Sequence, residues 1–217
     1  MRKMSSVNAS TKFELLRTYT RSECVVFHRT KDPFGGLSNM AGGYAVTVNG
    51  VRFRTTEALY QACRFPQLPE VQRLVISEAS PIVAKRKTMP FRDQTRKDWD
   101  SIRHKIMRWC LRVKLAQNYT EFGALLLSTG DGHIVEQSSK DTFWGARVID
   151  QNTLAGENVL GRLLMELRED ARIDEKQILR VVPPLPIPDF NLFGEPIEIV
   201  TAPNSEALHG YRSTMLF

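Results

Sequence analysis

Residues 55–65 read "TTEALYQACRF", and their pattern predicts a helix that is capped by Thr55 or Thr56 and carries a carboxylate in its first turn. The apolar positions that recur at helical spacing are Ala58, Leu59, Ala62, Cys63 and Phe65. Glu57 has no basic residue four positions further on, where an ion pair would stabilise a surface helix. It is therefore either a solvated carboxylate at a helix start or a carboxylate directed into a pocket, and the sequence leaves both readings open.

The segments around this helix predict an α+β fold, a single, mainly helical, compact domain with a small antiparallel sheet. "YAVTVNGVRFR" places two alternating runs on either side of Asn49-Gly50, which is typical of a β-hairpin. Further strands are predicted within 23–29 and 133–138, and further helices behind Ser10 and within 69–79, 81–88, 95–118, 120–130 and 157–172. Helices and strands do not alternate regularly, so a β/α repeat is not favoured.

Length and composition are those of one globular domain with attachments at both ends. The chain has 217 residues, of which 42% are hydrophobic and 25% charged. Residues 1–22 are interpreted as an N-terminal segment and 23–177 as the folded domain. Residues 178–217 begin with the proline-rich "LRVVPPLPIPDF" region and are predicted to be an extension that packs on that domain, because 40 residues rarely fold alone.

Several classes of protein and site are disfavoured by the sequence. It contains no apolar run of transmembrane length, and its start lacks the apolar centre of a secretory signal, so a cytoplasmic location without membrane association is expected. The three cysteines include no C-x-x-C pair, and the four histidines lack ligand spacing. We expect neither a disulfide framework nor a metal site.

Positive charge is concentrated in one stretch. The net charge is +6, yet residues 85–114 contain eleven Lys or Arg against three Asp, a local net of +8. Such a stretch fits a polyanionic ligand such as a nucleotide or a nucleic acid, and it equally fits a solvated helix face with short-range ion pairs.

Three polar or glycine-rich motifs have both functional and structural interpretations. "FGGLSN", residues 34–39, could bring backbone amides to an anion or form an ordinary turn. "DTFWG", residues 141–145, offers a tryptophan that could stack on a heterocycle or fill the core. "GENVLG", residues 156–161, places an asparagine at a helix start, where it could be a cap.

Taken together and in order, six motifs resemble those of the YbiA-like proteins, also called the NADAR (NAD and ADP-ribose-associated) superfamily. They are "FGGLSN", "TTEALYQACRF", "SPIVAKR", "RKDWD", "DTFWG" and "GENVLGRLLMELRE", and the resemblance covers about residues 24–170. It implies a compact, mainly helical α+β fold, which makes residues 23–177 the catalytic domain, and N-glycosidase chemistry on ribosylated bases. One branch of the family hydrolyses unstable intermediates of riboflavin biosynthesis. Another branch removes ADP-ribose from guanine in nucleic acid and acts as antitoxin to a DNA-modifying ADP-ribosyltransferase.

Departures from the riboflavin-type pattern favour the guanine branch. The segment "ARVIDQNTLAGEN" after Gly145 lacks a glycine- and lysine-rich run, Lys85 is present, and the C-terminal extension is additional. The expected substrate is ADP-ribosylated guanine in DNA, with RNA or free nucleotide as alternatives, and the expected functional partner is an ADP-ribosyltransferase toxin. Water would be the only co-substrate, with no cofactor. The alternatives are hydrolysis of ribosylamino-pyrimidine phosphates, non-catalytic binding of ADP-ribose or NAD, and a basic nucleic-acid-binding protein with a vestigial pocket.

The resemblance also implies roles for individual residues. Glu57 would stabilise the cationic sugar or activate water, and Asp141 would orient a ribose hydroxyl or assist proton transfer. Lys85 would either capture an opened ribose as a Schiff base or contact phosphate. The expected substrate-binding residues are Phe34, Gly35, Ser38, Asn39, Tyr60, Gln61, Arg64, Arg86, Trp99, Glu136, Trp144, Gly145 and Asn158.

Overall fold

A computed structural model describes residues 16–174 and 177–203. Helices contain more of these residues than strands do. The α-helices within these ranges are α1 (Thr56–Cys63), α2 (Pro69–Ser77), α3 (Pro81–Lys87), α4 (Trp99–Gln117), α5 (Tyr119–Leu127) and α6 (Val159–Arg172). Short 3-10 turns occur at Arg21–Glu23, Gly35–Leu37, Met89–Gln94 and Ile178–Arg180. Among the described residues, no helix is both long and apolar enough to cross a membrane.

The strands are short and form several small sheets. They are β1 (Thr18–Thr20), β2 (Cys24–Phe27), β3 (Val46–Val48), β4 (Val51–Phe53), β5 (His133–Glu136), β6 (Arg147–Val148), β7 (Thr153–Ala155), β8 (Val181–Val182), β9 (Asn191–Leu192), β10 (Glu195–Pro196) and β11 (Val200–Thr201). The α+β class is confirmed. The predicted single antiparallel sheet is wrong in detail, because β2 and β5 pair in parallel. Five of the α-helices lie between these two strands in the chain, a connection long enough for parallel pairing.

Local signals in the sequence give the expected structures around α1. Asn49 and Gly50 both have positive φ, 48° and 74°, as a two-residue hairpin turn between β3 and β4 requires. The Thr55 side chain accepts a hydrogen bond of 3.2 Å from the Ala58 amide and so caps α1. Ser80 caps α3 in the same way, with Pro81 in its first turn. The hairpin and both caps confirm the predictions.

The long helix α4 runs through the core, and its predicted apolar stripe is buried. The stripe consists of Trp99, Ile102, Ile106, Trp109, Cys110 and Val113. The helix begins at Trp99 rather than at Thr95. Because α4 contacts α1, α5 and α6, it fixes the relative positions of the segments that carry the polar motifs.

Both ends of the chain contact the domain where they are described. The predicted helix behind Ser10 falls largely outside the described residues, and residues 18–23 form β1 and a 3-10 turn instead. In the extension, the Pro183 carbonyl accepts a 2.9 Å hydrogen bond from the Trp109 indole of α4. The same indole meets Phe190 edge to face at 4.9 Å between ring centroids. Residues 178–203 thus add a second layer of contacts to α4.

The start of α6 packs so closely on β5 that residue 161 must lack a side chain. A Cβ built on Gly161 would lie 2.1 Å from the Ile134 carbonyl oxygen, whereas one on Gly123 of α5 would lie 3.5 Å from the nearest atom. We therefore predict that Gly161→Ala lowers the free energy of unfolding by at least about 1–3 kcal/mol. Gly123→Ala should be neutral or should raise it by up to about 1 kcal/mol, since glycine disfavours helices. Urea unfolding of both variants compares them, and equal effects would contradict the packing described.

Candidate active site

Four polar segments enclose an inner cavity of about 260 Å³. The segments are the loop at Ser38–Asn39, the first turns of α1, the last turn of α3, and the stretch from the end of β5 to Trp144. Its lining residues are His28, Ser38, Asn39, Met40, Glu57, Tyr60, Lys85, Met107, Glu136, Gln137, Ser138, Ser139, Asp141, Trp144 and Leu160. Residues that are far apart in sequence therefore meet around one small polar space.

Glu57 is directed into this cavity and is only 6% exposed, so the reading as a solvated helix-start carboxylate is wrong. The Gln61 side-chain amide, four residues further along α1, donates a 2.8 Å hydrogen bond to Oε1 of Glu57. Burial raises the pKa of Glu57, while Lys85 and the bond from Gln61 oppose the rise. A first-turn position favours the ionised form of a carboxylate, but desolvation outweighs this effect at Glu57.

Glu136, the last residue of β5, is half-buried and brings a second carboxyl group to the same cavity. Burial raises its pKa to about 7, with further contributions from the charges of Glu57 and Asp141, against which Lys85 acts. No hydrogen-bond partner within the described residues satisfies its carboxyl group. With a pKa of about 7, Glu136 is partly protonated at neutral pH, and the charge of Glu57 contributes to this.

Asp141 is fixed by its own turn. Its Oδ1 accepts hydrogen bonds of 2.9 Å from the backbone amides of Phe143 and Trp144, and its own amide donates to Ser138 Oγ at 2.9 Å. The carboxylate lines the inner cavity and the larger space next to it. Its orientation is thus set before any ligand binds.

Lys85 stands at the boundary between the two spaces and lines both. Within the described residues its ammonium group makes neither a hydrogen bond nor an ion pair within 4.0 Å. Lys87, two residues further along α3, is instead paired with Glu78. Lys85 is therefore available to a ligand in a way that its neighbour is not.

The outer cavity, of about 890 Å³, adjoins the inner one, and both are lined by Tyr60, Lys85, Asp141 and Trp144. Seven cationic residues line it, against three aspartates. The cations are Arg64, Lys85, Arg86, Arg92, Arg96, Lys97 and Arg103. Its aromatic wall is continuous, since Tyr60 lies 5.0 Å from Trp99 and 5.7 Å from Trp144 between ring centroids. The cations are suited to bind phosphates, and the aromatic wall is suited to stack against a flat ring.

The basic stretch 85–114 divides into functional and structural parts, so each reading holds for some of its residues. Six of its eleven cations line the outer cavity. Arg108 pairs with Glu166 and Arg112 with Asp170 across the α4–α6 contact. Lys114 is fully buried and bonds to the carbonyls of Gly36 and Ser38. Spacing alone did not separate these groups.

Four of the expected ligand-binding residues lie outside both cavity linings. Phe34 packs against the core, and Gly35 is buried where a Cβ would lie 2.4 Å from the Thr30 carbonyl oxygen. A Cβ on Gly145 would lie 2.5 Å from the Glu136 carbonyl oxygen. Asn158, with φ of 49°, donates to the Ile134 carbonyl at 2.8 Å and accepts from the Glu136 amide at 3.1 Å. The last two therefore hold Glu136 in place through the backbone rather than touching the cavity.

The loop 34–39 does not present its amides to an anion, contrary to one reading of "FGGLSN". The amides of Gly35, Leu37 and Ser38 donate to carbonyls three residues earlier. What the loop contributes to the inner cavity is the side chains of Ser38 and Asn39. The Asn39 side-chain oxygen is buried without a hydrogen-bond partner among the described residues, which suits a ligand donor.

Other lining residues were missed by sequence reasoning. Arg103 covers the Phe143 ring at 3.7 Å from guanidinium carbon to ring centroid, and both residues line the outer cavity. His28 lines the inner cavity, and its Nδ1 lies 2.8 Å from the Gln137 carbonyl oxygen. The one sequence signal for Arg103 is that it follows Trp99 by four residues and so lies on the same face of α4. Within the described residues, no group of three or more His, Cys, Asp or Glu side chains is arranged to hold a metal ion.

Comparison with known proteins finds a family match, related sequences and a similar solved structure. Residues 26–172 match the NADAR domain family. N-glycosidase YbiA of Escherichia coli (strain K12) is 38% identical over 150 residues, which cover 69% of this chain and 89% of that protein. A riboflavin biosynthesis protein of Vibrio vulnificus (strain YJ016) is 33% identical over 155 residues, 71% of this chain and 40% of its own length. The NMR structure of E. coli YbiA has a TM-score of 0.60 to this chain at 33% identity, and the match covers 73% of this chain and 90% of the other.

The raised pKa of Glu136 predicts a loss of stability as pH rises. Because its pKa in the folded protein, about 7, exceeds that of the unfolded chain, the folded state is favoured at low pH and loses this advantage by about pH 7. Glu136→Gln cannot ionise, so at pH 8 it should unfold with a free energy about 2–3 kcal/mol above that of the unsubstituted protein. At pH 4.5 the two should differ little. Urea unfolding at both pH values, with the exposed Glu121→Gln as control, measures this, and a pH-independent difference would contradict it.

Proposed function

Since this chain belongs to the NADAR domain family, we propose that it hydrolyses N-glycosidic bonds, and that its substrate is ADP-ribose attached to guanine in nucleic acid. The observation that carries the proposal is that a small cavity with three carboxylic residues adjoins a large cationic one and shares four lining residues with it. The inner cavity has the dimensions and polarity for a ribose and its bond to the base. The outer cavity supplies cations for a pyrophosphate and an aromatic wall for adenine.

Glu57 is assigned the electrostatic role at the sugar. Breaking a ribose–base bond develops positive charge at C1′ and the ring oxygen, and a carboxylate in a desolvated space stabilises this charge more strongly than one in water. Gln61 leaves Oε2 of Glu57 without a hydrogen bond from the described residues. That oxygen is available to the sugar or to a water that attacks it.

We assign to Glu136 the role of the general acid that donates a proton to the departing base. A departing base needs a proton on its nitrogen, and a general acid is most effective when its pKa lies near the working pH. The pKa of Glu136, about 7, meets this condition, and its negative neighbours Glu57 and Asp141 help to keep it protonated. The roles of the two glutamates thus differ, although both belong to one cavity.

Lys85 supports a covalent variant of the reaction. Its amine would add to C1′ of the opened sugar, the C1′–base nitrogen bond would break as the base takes a proton, and water would hydrolyse the resulting imine to free the lysine. The absence of an ion pair to Lys85 among the described residues favours this reading, because an amine held by a carboxylate would not be free to attack. Arg86 and Arg92 beside it supply charge for phosphates.

The size of the outer cavity supports the first of the two candidate substrates. A ribosylamino-pyrimidine phosphate, the second candidate, carries one phosphate and would leave most of the 890 Å³ unused. That candidate is favoured by the Vibrio vulnificus relative, whose name refers to riboflavin biosynthesis. ADP-ribose on guanine would use both cavities and also place the nucleic acid near the cationic rim. On this proposal the chain reverses the action of an ADP-ribosyltransferase toxin and so serves as its antitoxin. A purely ligand-binding role gives no reason to bury Glu57 and Glu136 together.

A direct comparison of substrates tests the proposal. We predict that the protein releases free ADP-ribose from ADP-ribosylated guanine DNA, and acts more slowly on ribosylamino-pyrimidine phosphate, when product formation is followed by mass spectrometry. Glu57→Gln keeps the size of the side chain and its bond to residue 61, and should lower the rate by roughly 10²–10³. A preference for the pyrimidine substrate would replace the first candidate by the second. Binding of ADP-ribose without turnover of either substrate would contradict the hydrolase.

Borohydride trapping separates the two roles of Lys85. If Lys85 forms an imine with the sugar, reduction during turnover should leave a sugar-bearing adduct on the protein, seen by intact mass measurement. Lys85→Arg should form no adduct and lose activity, because arginine keeps the charge but supplies no free amine at neutral pH. Lys87→Arg, on the same helix but paired with Glu78, is the matched control and should behave as the unsubstituted protein. An active Lys85→Arg without adduct would assign Lys85 to phosphate binding.

A further inference from the structure

Lys114 of α4 is a buried cation that neither cavity contains. Its side chain is fully buried, and Nζ donates hydrogen bonds to the carbonyl oxygens of Gly36 at 2.6 Å and Ser38 at 3.2 Å. The rings of Phe122 and Tyr44 lie 4.1 Å and 4.6 Å from Nζ, measured to their centroids. No carboxylate among the described residues pairs with it. Rings and carbonyl dipoles are therefore what compensates its charge.

Burying an apolar residue at position 114 would cost less free energy than burying a lysine there. Its neighbours on the helix, Val113, Leu115 and Ala116, are all buried and apolar. Burial lowers the pKa of Lys114 to about 7, which reports how unfavourable the charged form is at this site. A lysine kept under these conditions needs an explanation in what its ammonium group holds.

The loop that Lys114 contacts is hydrogen-bonded to the Glu57 backbone. Ser38, whose carbonyl accepts from Lys114, precedes Asn39, and the carbonyl of Asn39 accepts a 3.0 Å hydrogen bond from the Glu57 amide. The loop at Gly36–Asn39 thus joins the buried ammonium to the first turn of α1. Ser38 and Asn39 also line the inner cavity themselves.

We propose that Lys114 is a positioning residue, which fixes the carbonyls of Gly36 and Ser38 and thereby sets Asn39 and the Glu57 carboxylate against the substrate. The proposal rests on the function given above, since Glu57 is there the group that faces the sugar. A role in packing alone would instead make Lys114 a contributor to stability without a specific effect on turnover.

Lys114→Met tests this, because methionine is also unbranched but has neither charge nor N–H donors. We expect kcat to fall roughly 10–100-fold with KM changed less than threefold, since a displacement of about 1 Å at a reacting group can cost this much. The unfolding midpoint in urea at pH 6 should stay equal or rise, because the folded protein no longer buries an unpaired cation. Lys114→Gln keeps an NH₂ group that can donate to the carbonyls of Gly36 and Ser38 and should retain more activity than Lys114→Met. Lys105→Met removes a charge from the exposed side of the same helix and should change neither kcat nor the midpoint.

Hydrogen exchange gives a readout that does not depend on activity. In Lys114→Met the Glu57 amide should lose protection, while amides of β3 and β4 keep theirs. Unchanged kcat and unchanged Glu57 protection would overturn the proposal, and so would a lower midpoint with normal kcat per folded molecule. If the unsubstituted protein hydrolyses neither substrate, the proposed function fails. The exchange result then still decides whether Lys114 holds the loop that carries Glu57.

Discussion

Two glutamates that share one desolvated cavity are the constraint on which the site depends. Burial penalises the charge of Glu57 and of Glu136, and the charge of Glu57 makes Glu136 harder to ionise. The relief available nearby is limited to the Gln61 amide and the unpaired Lys85. Such an arrangement lowers stability near neutral pH and is the kind of arrangement that separates an acid from a carboxylate at one reacting bond.

The framework around these carboxyl groups is correspondingly rigid. Glu136 ends a strand that pairs in parallel with β2, and its amide is held by Asn158. Glu57 begins a capped helix whose first turn is tied to the Asn39 carbonyl. Asp141 is locked by two amides of its own turn. Backbone hydrogen bonds therefore help to orient each acidic residue. Oε2 of Glu57, Oδ2 of Asp141 and the Glu136 carboxyl group accept no hydrogen bond from the described residues, which leaves them for a ligand.

The features that sequence reasoning predicted are those set by neighbouring residues. The Asn49-Gly50 turn, the Thr55 cap and the Ser80-Pro81 helix start need no distant contact, so their patterns sufficed. The family resemblance brought eight of the fifteen residues that line the inner cavity together in one hypothesis. It did not reveal that Asn158 bridges two backbone segments, because this depends on contacts 22–24 residues away. The ammonium of Lys114 bonds residues 76–78 positions earlier, and nothing in its local pattern distinguishes it from the surface lysines of the same stretch.

The central claim, that Glu57 and Glu136 interact electrostatically within one cavity, is tested most directly by titrating their side-chain carboxyl carbons by NMR. The protein would carry ¹³C-labelled glutamate, and the Gln variants at positions 57 and 136 would assign the two resonances. The account predicts an apparent pKa of about 7 for Glu136, a raised value for Glu57, and a shift in each curve when the partner is replaced. Two independent titrations near the ordinary glutamate value, about 4.3, would contradict it.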